Sequence, residues 1–316
     1  MTTNGKLAVV AVGGNSLITS KDHQTVPDQY NAACTTMEHV ANMISEGYNV
    51  VITHGNGPQV GFILLRSEIA RDKIHPVPLD SCGADTQGAI GYNFQMALGN
   101  EFKKRNISKP VVTVVTQVLV DKDDPSFKKP SKPIGQFYSE AEAKERMAKD
   151  GWDMVEDAGR GWRRVVASPL PLEIIEEEAV KTLAGKGFIV VAVGGGGIPV
   201  VRDDKGMLKG VAAVIDKDFA SALLASNINA DVFIISTAVE KACLNFGKPD
   251  QKDLEKVTAD ELQKYCDEGH FAPGSMLPKC QAIIDFIKKG GKHAIITNPE
   301  NLARAVKGEA GTHIYP

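Results

Sequence analysis

The chain is 316 residues long, enough to bury a substantial core in one large domain or two modest ones. Its 43% hydrophobic and 24% charged residues, with 36 basic against 39 acidic side chains, fit an ordinary soluble globular protein and lack the basic excess of a nucleic-acid binder. Five cysteines, Cys34, Cys82, Cys243, Cys266 and Cys280, never stand in a C-x-x-C pair, which argues against a disulfide framework or zinc site and for free thiols in a reducing, cytoplasmic compartment.

In chain order, the first element is the β-branched run LAVVAV at 7–12. The segment PDQYNAACTTMEHVANMISEG follows, where Ala33, Met37, Val40 and Ile44 recur at helical spacing and Gly47 stands as a C-terminal cap. Further strand-like runs come at 49–53 and 111–116. From about Val120 to Pro171 the rhythm breaks into a polar excursion holding DKDDPSFKKPSKPIGQFY, a short helix EAEAKERMAKDG and both tryptophans. Composition alone leaves open whether this excursion is a mobile surface insertion or a working part. Runs at 188–193, 232–236 and 293–297 then alternate with helical DFASALLASNINAD and TADELQKYC, the latter with a capping box from Thr258 to Glu261. The apolar runs are continuous rather than alternating, as expected of parallel strands buried on both faces, and their alternation with helices predicts an α/β fold. None approaches the roughly 18 apolar residues of a membrane span, and MTTNGKLAVVAVGGN has too short an apolar run for a signal peptide, so no membrane partner is expected.

The 30 glycines exceed the roughly 22 that average usage would give, and the surplus clusters after apolar runs. Three loops at strand ends, GGNSL (13–17), HGNGPQVG (54–61) and GGGGIP (194–199), let backbone N–H groups approach an anion. The hexapeptide VVAVGG occurs in both the first and the third. No G-x-x-x-x-G-K-[ST] is present, which excludes a P-loop. Gly55, Gly57 and Gly61 with Asp80 come within one residue of a dinucleotide fingerprint, and this keeps a dinucleotide-dependent oxidoreductase as an alternative. Lys217 lies between Asp216 and Asp218 just before a helix, and Lys279 follows a proline at another helix start. Taken alone, these lysines and the basic loop KKPSKPIG read equally well as helix caps and solvated side chains. The seven histidines show no paired metal-ligand spacing.

Taken together, VVAVGGNSL, VVITHGNGPQVG, DSCGADTQGAIGY, PSKPIGQFY, RRVVASPLP, VVAVGGGGIPV, GVAAVIDKDFASALLA, STAVEKACLNFGKP and APGSMLPK resemble, in this order, the motifs of carbamate kinases in the amino acid kinase family, from about residue 7 to 297. The resemblance implies a single 1–316 domain, a three-layer αβα sandwich on a mainly parallel open sheet, with a protruding subdomain inserted at 120–171. It further implies a cytoplasmic homodimer that transfers a phosphoryl group reversibly between ATP and carbamate, with Mg²⁺ on the nucleotide. Such kinases commonly form ATP from carbamoyl phosphate in arginine breakdown; another family member acting on a carboxylate is the nearest alternative. Gly13, Gly14, Asn15, Gly55, Asn56 and Gly57 are implied at the carbamate or phosphoryl end, and Gly194, Gly195 and Gly196 on the floor between the substrates. Lys217 and Lys279 match the lysines on the nucleotide phosphates, and Asp218 the carboxylate orienting them. Thr237, Ala238, Val239 and Met276 match the adenine wall. Ala11 stands where many relatives carry a lysine before the first Gly-Gly. Lys132 matches the lysine that supplies this charge from the protruding subdomain, with Lys128 and Lys129 close by. The metal ligands are left unassigned.

Overall fold

In the computed structural model, residues 5–14, 17–18, 20, 22–157 and 159–316 are described. Leu7–Val12 is a central strand because its apolar side chains suit burial on both faces, and Ala8 to Val12 are fully shielded from solvent. It pairs in parallel with Asn49–His54 on one side and Val232–Ser236 on the other. The complete eight-stranded sheet runs Lys256–Thr258, Thr312–Tyr315, Ala294–Thr297, Val232–Ser236, Leu7–Val12, Asn49–His54, Ile189–Val191, Val111–Thr113. All its pairings are parallel except that between Ala294–Thr297 and Thr312–Tyr315.

Successive residues of a strand face opposite sides, so each strand feeds two cores. Val9, Ala11, Phe233 and Ile235 pack with Leu224 of the Lys217–Asn227 helix and Ile283 of the Met276–Lys288 helix. Ala8, Val10, Val50 and Ile52 pack with Met37 and Val40 of Val26–Ser45 and Phe94 and Leu98 of Leu79–Arg105. Two helical layers around one sheet result. The Val26–Ser45 helix begins with a Thr25/Asp28 capping box, and Gly47, at φ 91°, donates its N–H to Ile44 as the sequence predicts of a glycine cap.

Two expected strands are shorter than their apolar runs. The 111–116 run stays in the main sheet only through Val111–Thr113. Gln87 then clamps the chain: its Oε1 accepts from Thr116 N (2.7 Å), while its Nε2 donates to the carbonyls of Thr116 and Gly194 (3.0 Å each). Beyond this clamp, Gln117–Val120 joins a second sheet, in the order Leu208–Gly210, Ile198–Arg202, Gln117–Val120, Pro171–Ile174. The 188–193 run likewise ends at Val191, because Val193 turns into the left-handed region (φ 52°) and opens a helical turn at Gly194–Gly196. The helices Gly57–Ala70 and Leu79–Arg105 complete the fold between the second strand and Val111.

Between Val120 and Pro171 the chain builds a three-stranded antiparallel sheet, Lys132–Tyr138, Trp162–Val166 and Asp153–Glu156, with the helix Glu140–Asp150. It is docked on the Gly57–Ala70 helix. Arg71 makes two hydrogen bonds to Asp150 (2.9 and 3.1 Å), and Arg146 pairs with Glu68 (2.9 Å). The Arg71 bonds, and then a bond that Arg146 Nη1 donates to Asp150 Oδ2 (2.9 Å), hold the Asp150 carboxyl down to about 2. Beneath them Ile134 and Val166 share a small apolar cluster with Val60, Leu79 and Cys82.

Candidate active site

The glycine loops meet because the strands that carry them are neighbours. Gly13 N donates to Ser236 O (3.1 Å), and Gly55 N to Val12 O (3.0 Å). A Cβ on Gly55 would lie 3.0 Å from Gly14 N and 3.6 Å from Lys217 Cδ, so the first two loops and the Lys217 stem are in mutual contact only because no side chain intervenes. Gly57 opens the Gly57–Ala70 helix, with Asn56 at its N-cap position. Asn15 lies outside the described residues.

The Gly194–Gly196 turn is buried beneath the second loop. Gly195 has φ +66°, and a Cβ there would collide with the Asn56 amide; one on Gly194 would strike the His54 ring. Asn56 is held from the far side by donating to Thr86 Oγ1 (2.9 Å). His54 Nδ1 bonds the Gly55 carbonyl at 3.1 Å, and a carbonyl only accepts, so Nδ1 carries the proton and Nε2 faces Gly194. Burial pushes the His54 pKa down to about 4, with Lys217 adding to it against the Gly55 bond, so the ring is neutral.

Lys217 is the first residue of the Lys217–Asn227 helix and Lys279 lies in the first turn of Met276–Lys288. Asp218 joins them: Oδ1 accepts from Lys217 Nζ at 2.5 Å and Oδ2 from Lys279 Nζ at 2.8 Å. Only 4% of the Asp218 side chain and 13% of Lys217 reach solvent. Burial alone would raise the Asp218 pKa, but the two ammonium groups outweigh it and hold the carboxyl at about 2. Burial, reinforced by Lys279 and opposed by Asp218, pushes the Lys217 ammonium below the usual lysine range. Its backbone is fixed too: Ser221 Oγ donates to Lys217 O (2.5 Å) and meets Thr53 Oγ1 at 2.6 Å. Lys132 reaches this row from the docked sheet, with Nζ 2.9 Å from Asp216 Oδ2, whereas Lys128 and Lys129 are exposed.

A cavity of about 490 Å³ opens over these groups, lined by Gly13, Gly14, Lys217, Thr237, Ala238 and Lys279. It continues into one of about 190 Å³ that Val239 and Met276 line together with Thr237 and Ala238. The larger space is also bounded by His39, Asn298 and Glu300, and the smaller by Cys243, Phe246, His270 and Phe271. Sequence reasoning did not assign His39, Asn298, Glu300, Phe246, His270 or Phe271 to the site. The available sequence signal was that Phe246 lies within the motif STAVEKACLNFGKP and that His270 and Phe271 directly precede APGSMLPK.

Chemically, the arrangement offers ammonium groups and glycine-loop amides to a polyanion, next to a partly aromatic slot. Among the described residues no three His, Cys, Asp or Glu side chains converge on a metal-sized space. Asp216 and Asp218 are each engaged by lysines, so a divalent cation fits here as a passenger on substrate phosphates rather than in a protein cage. The near-fingerprint of a dinucleotide site does not assemble. Gly61 faces Gly135 of the docked sheet, Asp80 lies against Gly210, and a second helix rather than a strand follows Gly57–Ala70.

The model of the amino acid kinase family matches residues 6–298. The chain is 52% identical over 312 residues to "Carbamate kinase-like protein YahI" of Escherichia coli (strain K12), with 98% of each chain covered. It is 49% identical over 312 residues to the carbamate kinase of Thermococcus kodakarensis, covering 98% of this chain and 99% of that one. Among solved structures, it is similar to carbamate kinase from Giardia lamblia bound to AMP-PNP, with a TM-score of 0.94, 43% identity and 99% of each chain covered.

Proposed function

Because the chain belongs to the amino acid kinase family, we propose that it is a carbamate kinase, a phosphotransferase with a carboxyl group as acceptor that moves a phosphoryl group reversibly between ATP and carbamate. The observation that carries this reading is the Lys217–Asp218–Lys279 row, joined by Lys132 from the docked sheet at the mouth of the glycine loops. Residues 1–316 act as one domain, and 120–171 as a protruding subdomain that delivers Lys132.

The nucleotide base fits the slot of Val239 and Met276, placing its phosphates beside Thr237, Lys217 and Lys279. Carbamate or carbamoyl phosphate lies toward Gly13, Gly14 and the Gly55–Gly57 loop, over the buried floor of Gly194, Gly195 and Gly196. The attacking carbamate oxygen is already anionic, so no general base is needed; positioning and charge neutralisation suffice. Lys217 and Lys279 stabilise the charge on the moving phosphoryl group, and Lys132 meets its far oxygens. Asp218 is an organiser: ionised at neutral pH, with both oxygens occupied by ammonium groups, it has no role as proton carrier. With Asp216 and Asp218 engaged by lysines, Mg²⁺ would be carried by the nucleotide rather than by a protein cage, and would supply charge neutralisation on its phosphates.

We place the net direction toward ATP, from carbamoyl phosphate and ADP in arginine breakdown, in a cytoplasmic homodimer. The test is direct. Purified protein with ADP, Mg²⁺ and carbamoyl phosphate yields ATP, and omission of any one abolishes it; no ATP from active-site-intact protein sinks the reading.

A further inference from the structure

The sequence leaves Asp216 as a neighbour of Lys217, but in the fold the two do not pair: Lys217 turns to Asp218, and the oxygens of Asp216 face two other groups. Oδ1 accepts from the backbone N–H of Asp218 (2.9 Å), capping the Lys217–Asn227 helix. Oδ2 accepts from Lys132 Nζ, also at 2.9 Å. Lys132 begins the first strand of the docked sheet, paired with Val166, so its backbone sits at the root of that sheet.

We propose that Asp216 is a positioning residue: by gripping Lys132 across 84 residues of sequence it sets that ammonium in register with Lys217, Asp218 and Lys279. The inference rests on the kinase reading above. A single helical turn, 216–218, then references all three ammonium groups. Lys132 is held through Oδ2 of Asp216, whose Oδ1 is fixed on Asp218 N, and Asp218 in turn holds Lys217 and Lys279. Three like charges close together repel, and the two interleaved carboxylates keep them gathered before a polyanion arrives. The Lys132 side chain is 36% exposed, so its ion pair is weak. It biases the ammonium without locking it, and an incoming phosphoryl group can share it.

Asp216→Asn separates positioning from capping, since asparagine caps a helix as well as aspartate but turns an amide toward Lys132. In ATP formation from ADP and carbamoyl phosphate, D216N lowers kcat about tenfold, leaves KM for ADP within about twofold, and adds nothing to the loss in Lys132→Ala. A near-wild-type kcat, or losses that multiply in the double variant, overturns the proposal. A second readout is independent of turnover. Backbone amides of Lys132–Tyr138 exchange hydrogen for deuterium faster in D216N and in K132A, at unchanged Tm. Equal exchange in wild type and D216N refutes the grip even where absence of ATP formation has already removed the kinase reading.

Discussion

Lys217 is a buried ammonium with Asp218 and Lys279 around it, a contact set that makes sense for a polyanionic ligand. Its head group does electrostatic work that a neutral side chain cannot supply. Lys217→Ala therefore lowers kcat by on the order of 10² or more, read in steady-state assays; a rate near wild type returns Lys217 to a mere helix-start lysine. Asp218 contributes to stability by holding two buried ammonium groups. Asp218→Asn leaves two ammonium groups facing each other with little water, and unfolding in urea shows a loss of about 3 kcal/mol. The size of that loss follows from burial: the same change at the open Lys122–Asp204 pair is worth at most about 1 kcal/mol. The sequence placed Lys217, Asp218 and Lys279 through motif resemblance. The same resemblance implied Asp218 as the carboxylate orienting both lysines; spacing alone could not, because residues 61 apart share no periodicity.

The docked sheet is the element whose removal is cleanest. Gln117–Val120 and Pro171–Ile174 are antiparallel neighbours, with Val120 opposite Pro171, so the excursion leaves and returns at one place. Replacing residues 121–170 by a short turn keeps ADP binding measurable and abolishes phosphoryl transfer, checked by calorimetry and by the ATP assay; undiminished turnover would make the excursion ornamental. The composition of this segment, polar and rich in Lys, Asp and Pro, could not announce such a role. Its order comes from contacts outside it: Arg71 on Asp150, Arg146 on Glu68, and Ile134 and Val166 against Val60 and Leu79. The short helix EAEAKERMAKDG was, by contrast, read from its own residues, and the structure closes its start with a Ser139/Glu142 capping box.

Across the whole molecule, pH acts through histidines that fold in neutral form. His54 and His293 are held at about 4, in both cases chiefly by burial, and His313 is lowered for the same reason. The His293–His313 hydrogen bond (2.9 Å) needs a neutral His313: its Nε2 donates to the Ala310 carbonyl, which leaves its Nδ1 to accept from His293 Nε2. A histidine pKa lower in the folded than in the unfolded chain means that the unfolded chain takes up more protons as pH falls. Their contribution is complete above about 6.5 and declines as pH drops toward 4. Asp150 and Asp218, held at about 2, contribute above about 3.9 and lose their contribution only below it. Urea midpoints measured from pH 8 to pH 3 therefore fall in two stages, the first between about 6.5 and 4. A flat profile through that first window contradicts the neutral, buried histidines.

The sequence by itself determined the strands at 7–12 and 232–236, the alternation that makes an α/β fold, the helix caps at Gly47 and Thr258, and the glycine loops. These are local matters: a strand buried on both faces needs an unbroken apolar run, and a cap needs its donor or its left-handed glycine within a few residues. Only the tertiary structure decided that the 111–116 run divides between two sheets, and that Phe246, His270 and Phe271 share a slot with Met276. It also decided that Lys132, rather than Lys128 or Lys129, meets Asp216. Each of these depends on where a crossover or insertion sets residues far apart in the chain side by side, and no spacing along the sequence encodes that distance.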